Sequence, residues 1–355
     1  MSPPSKTLRS AAALADAGLV TPERAPALEA VAARYAVAIT PAMAELIEAA
    51  DDADPIARQF VPHESELVAL PVEAADPVGD GTFSPVPGIV HRYPDRALLK
   101  ITHTCAVYCR FCFRREMVGP AGVKSLNAEA LDAAIAYIAG HPQIWEVIVT
   151  GGDPLVLSPR RLKALMDRLA GIAHLKVIRF HTRLPVVDPD AVSDEMVAAL
   201  KSGSPGNGGQ AVYVALHANH ARELTPAARA ACARLVDAGI PMLGQTVLLR
   251  GINDDAETLG DLMRAMVETR IKPYYLHQGD LAPGTSHLRV PIAEGQAILK
   301  TLRGRWSGLC QPTYVLDIPG GHGKSPIGPG YLSDGAEGLV VEDYNGQAHA
   351  YPPKA

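Results

Sequence analysis

The sequence predicts an α/β fold, a partial (β/α)6 barrel of the TIM type, with a helical N-terminal region before it and a short C-terminal strand or hairpin segment after it. The first observation is an alternation from about residue 97, in which six short apolar segments are each followed by a helical segment. Alternation of this kind predicts a parallel sheet covered by helices, and six units are too few for a closed eight-stranded barrel. The second observation is that the pattern changes on both sides of this stretch, which predicts three segments, 1–90, 91–310 and 311–355.

The N-terminal segment is rich in Ala and Pro and predicts helices followed by an extended connection. Thr21-Pro22 and Thr40-Pro41 are typical helix starts, because a hydroxyl group can cap the first turn and Pro suits the first helical position. The apolar residues of PALEAVAARYAV and PAMAELIEAA recur with a helical period. Residues 51–90 are polar and rich in Pro and Gly, and they predict the extended connection.

The six predicted strands are, in order, ALLKITHT, EVIVTGG, KVIRFHTR, AVYVALHAN, PMLGQTVLLRG and KPYYLHQG. In a barrel of this type, functional residues lie at the C-terminal ends of the strands and in the loops that follow. After residue 311, PTYVLDIP predicts a strand and GGHGKSPIGPG a glycine-rich loop. LVVEDYNGQAHAYP predicts a hairpin with Asn345-Gly346 at its turn.

Composition argues against several classes of protein. The net charge of −5 argues against nucleic-acid binding, which usually needs a basic surface. No apolar run reaches the roughly 18 residues of a membrane span, and the opening MSPPSKTLRSAAALADAGLV predicts a helix rather than a signal peptide. Five cysteines, three of them clustered, do not indicate a disulfide framework. We therefore expect a cytoplasmic protein with neither a membrane nor a nucleic-acid partner.

Three cysteines lie close together in the loop after the first predicted strand: Cys105, Cys109 and Cys112, spaced C-x3-C-x2-C. Thiolates are soft ligands that suit iron–sulfur clusters, zinc or copper. Three of them on a 4Fe–4S cluster would leave one iron open for a substrate or cofactor. The alternative is a structural zinc site completed by His103 or a distant cysteine, although structural zinc commonly uses two ligand pairs and this loop supplies one.

Two glycine-containing segments are candidates for ligand contacts. The segment 150–154, TGGDP, follows the second predicted strand, where glycine lets a ligand approach the backbone; alone it more often marks a tight turn. GGHGKSP resembles a phosphate-binding loop, but Ile318 occupies the place of its first glycine and Pro326 follows too early. Lys324 is then either a solvated side chain or a lysine that forms a Schiff base with pyridoxal phosphate (PLP).

The cysteine loop, with aromatic Phe111 just before its last cysteine, resembles the signature of the radical S-adenosylmethionine (SAM) superfamily. The resemblance implies a radical SAM barrel, a 4Fe–4S cluster on the three cysteines, and SAM bound to the open iron. It also implies cleavage of SAM to methionine and a 5′-deoxyadenosyl radical. Gly151, Gly152 and Asp153 are similar to the superfamily segment whose backbone meets the amino group of SAM.

A longer series of segments, between about residues 88 and 331, resembles the lysine 2,3-aminomutase family. The segments are HRYPDRALLKITHTCAVYCRFCFRRE, LPVV, LHANHARELT, GQTVLLRGIND, PYYLHQGD and YVLDIPGGHGK. The resemblance implies that PLP is held covalently by Lys324, with Arg92, Tyr93 and Arg96 near that cofactor. Arginine suits a phosphate group geometrically, although RYPDR alone would be a basic turn before a strand.

The same resemblance implies a set of substrate-binding residues. Arg114 would bind the substrate α-carboxylate through a bidentate contact. Without the resemblance, Arg114 would be a surface base in the RRE run, and this interpretation is kept for its neighbour Arg115. Asp280 and Asp317 would bind the distal ammonium group of the substrate, because a buried cation needs anionic partners.

Further positions either follow from the resemblance or depart from it. His217 and Gln245 would lie near SAM, although His217 could equally be a core histidine. The turn Gly239-Ile240-Pro241 would support the adenine of SAM. Asp255 stands where some relatives carry a zinc cysteine, so the zinc-linked oligomer of those relatives is not expected, and a homodimer is expected without that zinc.

The resemblance therefore implies a radical SAM, PLP-dependent 2,3-aminomutase that interconverts L-lysine and β-lysine and takes electrons from a flavodoxin- or ferredoxin-type reductant. Two alternatives stay open at this point. One is the same chemistry on a lysine side chain of translation elongation factor P, which the short chain fits. The other is an iron–sulfur electron carrier or binding module without catalysis, for which Lys324, Asp280 and Asp317 would be coincidences.

Overall fold

The computed structural model describes residues 4–48, 53–119, 125–202, 209–336 and 338–353. Within these ranges the largest element is a nine-stranded sheet whose strands follow one another in chain order. Its strands are β1 (Ile89–Tyr93), β2 (Arg96–Thr102), β3 (Glu146–Gly151), β4 (Val177–Thr182), β5 (Ala211–His217), β6 (Met242–Val247), β7 (Ile271–His277), β8 (Thr313–Ile318) and β9 (Gly323–Pro326).

Helices form the N-terminal region and alternate with the central strands. They are α1 (Ala11–Asp16), α2 (Ala25–Arg34), α3 (Pro41–Leu46), α4 (Ala57–Phe60), α5 (Ala128–Ala139), α6 (Pro159–Ala170), α7 (Leu184–Val187), α8 (Asp194–Lys201), α9 (Pro226–Asp237), α10 (Ala256–Glu268) and α11 (Ile292–Leu302). None of the helices in the described ranges is long and apolar enough to cross a bilayer.

Strands β2 to β8 are parallel, and each pairs with the next. β1 and β9 close the two edges in antiparallel pairs. The six predicted strand–helix units are confirmed in their order, β2 to β7, and β8 adds a seventh parallel strand. The Lys324 backbone N–H on β9 donates a hydrogen bond to the Tyr93 hydroxyl of β1 at 2.6 Å. The sheet is therefore barrel-like and nearly closed, with the C-terminal ends of its parallel strands around one opening.

The apolar pattern of the sequence decides which face of each helix is buried. In α6, Leu162, Leu165, Met166 and Leu169 recur at the spacing of one helical face, and all four are buried. Strand β3 is buried along almost its whole length, as expected for a parallel strand covered by helices. These side chains belong to one continuous hydrophobic core between the sheet and the helices.

The N-terminal region is helical as predicted, but one predicted helix start and the predicted extended connection need correction. Thr40 caps α3, because its hydroxyl accepts the Met43 N–H. Thr21 does not cap a helix: it begins a turn, and α2 begins four residues later, after Arg24. The connection predicted to be extended contains α4 and two short 3-10 turns, at 64–67 and 81–83.

The C-terminal prediction also needs a correction. The glycine-rich loop contains strand β9, which pairs with β8 and carries Lys324. The predicted hairpin forms, with Asn345-Gly346 at its turn, but within a three-stranded sheet of β10 (Leu332–Gly335), β11 (Gly338–Glu342) and β12 (Ala348–Tyr351). Gly346 has a φ of 81°, which explains glycine at this turn.

Candidate active site

A cavity of about 520 Å³ lies at the C-terminal ends of the parallel strands. Such an opening is where a barrel of this type carries its functional residues. Apart from the turn Gly239-Ile240-Pro241, the residues that the sequence predicts as site residues line this cavity: Arg92, Tyr93, Arg96, Cys105, Cys109, Phe111, Cys112, Arg114, Gly151, Gly152, Asp153, His217, Gln245, Asp280, Asp317 and Lys324.

Two glycines at the end of β3 hold the loop that carries the cysteines. The Gly152 N–H donates to the Thr102 carbonyl at 2.5 Å, and the Asp153 N–H donates to the Thr104 carbonyl at 3.0 Å. A Cβ at Gly152 would lie 2.3 Å from the Thr104 oxygen, and one at Gly151 would lie 2.3 Å from the Thr102 oxygen. A larger residue therefore fits at neither position, and the close backbone contact fixes where the cysteine loop begins.

The environment of the three thiols suits a bound metal cluster. Burial raises the pKa of Cys112 to about 11 and that of Cys105 well above its ordinary value. A coordinating metal supplies the positive charge that stabilises a buried thiolate. Cys232 and Cys310 belong to the hydrophobic core and complete no site with the loop. Among the described residues, no group of three His, Cys, Asp or Glu side chains is placed closely enough to hold a single metal ion.

Arg183, which directly follows β4, contacts the cysteine loop and was not predicted from the sequence. Its Nη1 donates to Cys109 Sγ at 3.0 Å. Its Nη2 donates to the Glu223 carboxylate at 2.6 Å and also to Gln59 Oε1. The Asp153 carboxylate accepts the Arg183 backbone N–H at 2.7 Å. The Asp153 side chain therefore orders the loop after β4, next to the cysteines.

Lys324 forms an ion pair with one of the predicted ammonium-binding residues. Asp317 lies directly opposite Lys324 in the β8–β9 pair, and Lys324 Nζ donates to its two carboxylate oxygens at 2.6 and 2.5 Å. His277 Nδ1 lies 3.6 Å from the same carboxylate. Burial alone would raise the pKa of Asp317, but the hydrogen bond from His277 and the charge of Lys324 outweigh it and hold that pKa well below its ordinary value. Asp317 is thus an ionised carboxylate that already binds an ammonium group.

Asp280, in the loop after β7, is a second carboxylate at this end of the cavity. Burial raises its pKa to about 7, and the charge of Asp317 adds to the rise. Within the described part of the chain the Asp280 carboxylate makes no hydrogen bond and no ion pair. Desolvation of a carboxylate that has no partner is costly, so this end of the cavity favours a cationic ligand.

Asp80 connects two predicted ligand-binding arginines, and sequence reasoning missed it. Its carboxylate, 3% exposed, lies 3.0 Å from Arg114 Nη2, 3.3 Å from Arg92 Nη2 and 3.7 Å from Lys100 Nζ. Burial alone would raise the pKa of Asp80, but these three cations outweigh it and lower that pKa. Asp80 therefore orients Arg114 and Arg92. No sequence signal identifies it, because it lies in the Pro- and Gly-rich connection far from its partners in the chain.

The RYPDR segment forms the hairpin between β1 and β2 at the edge of the cavity. The Arg96 guanidinium stacks on the Tyr93 ring, 3.8 Å from its centroid. Arg92 donates to the Val78 carbonyl at 2.6 Å and lies 5.4 Å from the Phe83 ring. Two arginines and a tyrosine at one rim of the cavity suit a phosphate group.

Polar atoms without partners indicate that the cavity suits a polar ligand. His217 stacks on Phe111, with ring centroids 5.5 Å apart, and Gln245 Nε2 lies 3.0 Å from His181 Nε2. In the described residues, Arg92 Nε, His217 Nε2 and His277 Nε2 are buried without a hydrogen-bond partner. Buried polar atoms are normally paired. His217 is therefore a cavity-lining residue rather than a satisfied core histidine.

Two expectations from the sequence are not supported. Arg115 is not a surface base: it is buried, donates to Glu66 and stacks on Tyr35 at 3.6 Å, so it fastens the cysteine loop to the N-terminal region. The turn Gly239-Ile240-Pro241 precedes β6, so it lies at the opposite end of the sheet from the cavity. Ile240 is buried in the core, so this turn does not reach the cavity.

Comparisons with known proteins find families and relatives that are similar to this chain in sequence. Residues 99–263 match the model of the radical SAM superfamily, and residues 299–354 match the model described as lysine-2,3-aminomutase. L-lysine 2,3-aminomutase of Clostridium subterminale is 40% identical over 89% of this chain and 74% of its own, and that of Acetoanaerobium sticklandii is 39% identical over 94% and 79%. Glutamate 2,3-aminomutase of Clostridioides difficile is 36% identical over 89% and 74%.

The barrel-like sheet and the three-cysteine loop thus define a radical SAM enzyme. More particularly, the chain belongs to the lysine 2,3-aminomutase family. The predicted fold, family and enzyme class are confirmed: it is a radical SAM aminomutase, an isomerase. Membership implies the three cofactors predicted from the sequence, a 4Fe–4S cluster, SAM and PLP. The buried thiols and the polar cavity fit these groups.

Proposed function

We propose that this enzyme is PLP-dependent and interconverts L-lysine and β-lysine. The observation that carries the proposal is the carboxylate pair beside Lys324. Asp317 holds an ammonium group at 2.5 Å, and the half-buried Asp280 has no hydrogen-bond or ion-pair partner for its carboxylate among the described residues. A lysine side chain ends in an ammonium group of the kind that Asp317 binds here.

Charge distinguishes lysine from glutamate in this cavity. Two like charges 4 Å apart repel by about 4 kcal/mol at the effective dielectric of a partly buried site. The side-chain carboxylate of glutamate would meet Asp280 and Asp317 with the same sign, whereas the lysine ammonium would neutralise part of their charge. The cavity therefore favours lysine, although one relative is named a glutamate 2,3-aminomutase.

The opposite end of an amino acid substrate needs a cation, and Arg114 supplies one. Its guanidinium is held by Asp80 through Nε at 3.3 Å and Nη2 at 3.0 Å. That leaves the Nη1 edge for a substrate carboxylate, and Asp80 limits the orientations that the guanidinium can take. A pre-oriented arginine loses less freedom when it binds a carboxylate.

The cofactors would be held by residues already described. Cys105, Cys109 and Cys112 would hold the cluster, and Lys324 would hold PLP with Arg92 near its phosphate. When bound, the cluster and SAM supply a radical that removes a hydrogen atom, and PLP supplies a conjugated system that stabilises an unpaired electron. The chain itself binds the two ends of the substrate, excludes water, and keeps the ammonium of Lys324 on Asp317 when that lysine is free.

The test is an anaerobic assay of the reconstituted enzyme. The protein is loaded with iron, sulfide and PLP, reduced, and given SAM with either L-lysine or L-glutamate, and the products are identified by mass spectrometry. Formation of β-lysine with little β-glutamate supports the proposal. Turnover of glutamate alone would overturn it. SAM cleavage without turnover of free lysine would also overturn it, and intact elongation factor P would then be the next substrate to test.

A further inference from the structure

The hydrogen bond between Arg183 and Cys109 is a contact that the proposed function does not use. Arg183 Nη1 lies 3.0 Å from Cys109 Sγ, and the guanidinium is 5.5 Å from the Phe111 ring. Arg183 is 6% exposed. A buried cation is thus aimed at the sulfur of one predicted cluster ligand.

The guanidinium is held in this orientation by residues from two other parts of the chain. Glu223, which is fully buried, accepts from Nη2 at 2.6 Å. Gln59, from the N-terminal region, accepts a hydrogen bond from the same nitrogen. The guanidinium carbon of Arg183 lies 4.6 Å from the centroid of the Phe60 ring. The side chain therefore has little freedom to turn away from Cys109.

Glu223 does not cancel the effect of Arg183 on the sulfur. The carboxylate lies on the Nη2 side of the guanidinium, whereas the N–H that reaches Cys109 is on Nη1. The positive end of the pair thus faces the thiol. Hydrogen bonds to the sulfur ligands and local charge are among the factors that set the potential of an iron–sulfur cluster.

We propose that Arg183 is a positioning residue that raises the reduction potential of the cluster through its hydrogen bond to Cys109. Reduction adds one electron, supplied by the reductant, to the cluster and breaks no bond. The added negative charge spreads onto the thiolate sulfurs, so a donor fixed at one of them stabilises the reduced form more than the oxidised form. This role rests on the cluster of the family and not on lysine as the substrate.

The experiment is a redox titration of the reconstituted enzyme without SAM or amino acid, followed by electron paramagnetic resonance of the reduced cluster. Arg183→Met removes the donor and the charge, and we expect the equilibrium constant for reduction to fall about tenfold, which is about 59 mV for one electron. Glu223→Gln keeps the donor and removes its counter-charge, so we expect a shift in the opposite direction. Opposite signs are the result that a merely structural pair would not give.

Arg179→Met is the matched control. Arg179 lies on β4, four residues before Arg183, and forms its own buried ion pair with Glu146 at 2.9 Å. Among the described residues, Arg179 contacts the Glu146 carboxylate and the Tyr274 ring and no thiol. We therefore expect the midpoint potential of the Arg179→Met variant to stay close to that of the unchanged enzyme.

Iron content and circular dichroism of each variant show whether the cluster and fold are intact. If Arg183→Met takes up no cluster, Arg183→Lys and Glu223→Gln decide the question, since a lysine keeps the charge without the fixed fork of donors. An unchanged midpoint potential in cluster-loaded Arg183 variants would overturn the proposal, as would shifts of the same sign in Arg183→Met and Glu223→Gln. None of these redox measurements depends on the substrate. The lysine assay can therefore fail while the proposal for Arg183 holds, and the proposal for Arg183 can fail while the lysine assay succeeds.

Discussion

Replacing Asp280 with Asn should stabilise the fold while weakening the enzyme. Burial raises the pKa of Asp280 from 3.8 to about 7. The folded protein therefore binds a proton that the unfolded chain releases above about pH 4, and stability falls as pH rises from about 4 to 7. At about 1.4 kcal/mol per pH unit, the cost of the ionised carboxylate reaches at most about 4 kcal/mol above pH 7.

Asn removes this cost because it has nearly the same shape and no charge. We expect Asp280→Asn to raise the free energy of unfolding by about 2–4 kcal/mol at pH 8. At pH 5 this gain in stability should be smaller by about 2 kcal/mol. The assay is urea unfolding of the cofactor-free protein, followed by tryptophan fluorescence, since Trp306 is 7% exposed in the fold. Circular dichroism checks that both probes report one transition.

Asp317→Asn is the control with the opposite sign. The pKa of Asp317 is well below its ordinary value because of His277 and Lys324, so its charged form stabilises the fold and the Asn variant should be less stable at pH 8. Both variants should bind L-lysine more weakly. An Asp280→Asn variant with unchanged stability, or with a gain that does not grow between pH 5 and pH 8, would refute the reasoning.

Three other substitutions test separate parts of the site. Lys324→Ala should abolish the covalent attachment of PLP, measured by its visible absorbance, and leave the iron content unchanged; turnover without added amines would contradict its role. Asp80→Asn should free Arg114, because the charged hydrogen bond that orients its guanidinium is lost. A loss of about 1.4 kcal/mol would raise the KM for lysine about tenfold, with a smaller change in kcat. Gly152→Ala, whose Cβ would meet the Thr104 oxygen at 2.3 Å, should lower the bound iron per chain, and a fully loaded variant would show that the contact can relax.

The sequence predicted those features that depend on short segments. The six central strands could be recognised because each is an apolar run followed by a helical repeat, and the cysteine loop because its three thiols lie within eight residues. The carboxyl ends of parallel strands meet at one edge of a sheet. That rule placed the cysteine loop, which follows the first predicted strand, at this opening before the fold was known, whereas Asp280 was assigned from the family resemblance.

Features that depend on contacts between distant segments could not be predicted. Asp80 lies in a connection that composition alone describes as extended, and its partners Arg92 and Arg114 are known only from the fold. Arg115 is a second example. A run of basic residues predicts exposed side chains, whereas Arg115 is buried because it pairs with Glu66, which lies 49 residues earlier in the chain. Buried ion pairs leave no periodicity, so the charges that orient this site had no signal in the sequence.

The charges around Asp317 also bear on the order in which the site fills. Lys324 places its ammonium on Asp317. Under the proposed function, Lys324 would hold PLP and would no longer place a free ammonium on Asp317, which would leave room for the substrate ammonium beside the two carboxylates. Two neighbouring, half-buried carboxylates favour uptake of a positive charge. The cavity should therefore attract the lysine ammonium most strongly once the cofactor is in place, which favours loading PLP before substrate by electrostatics alone.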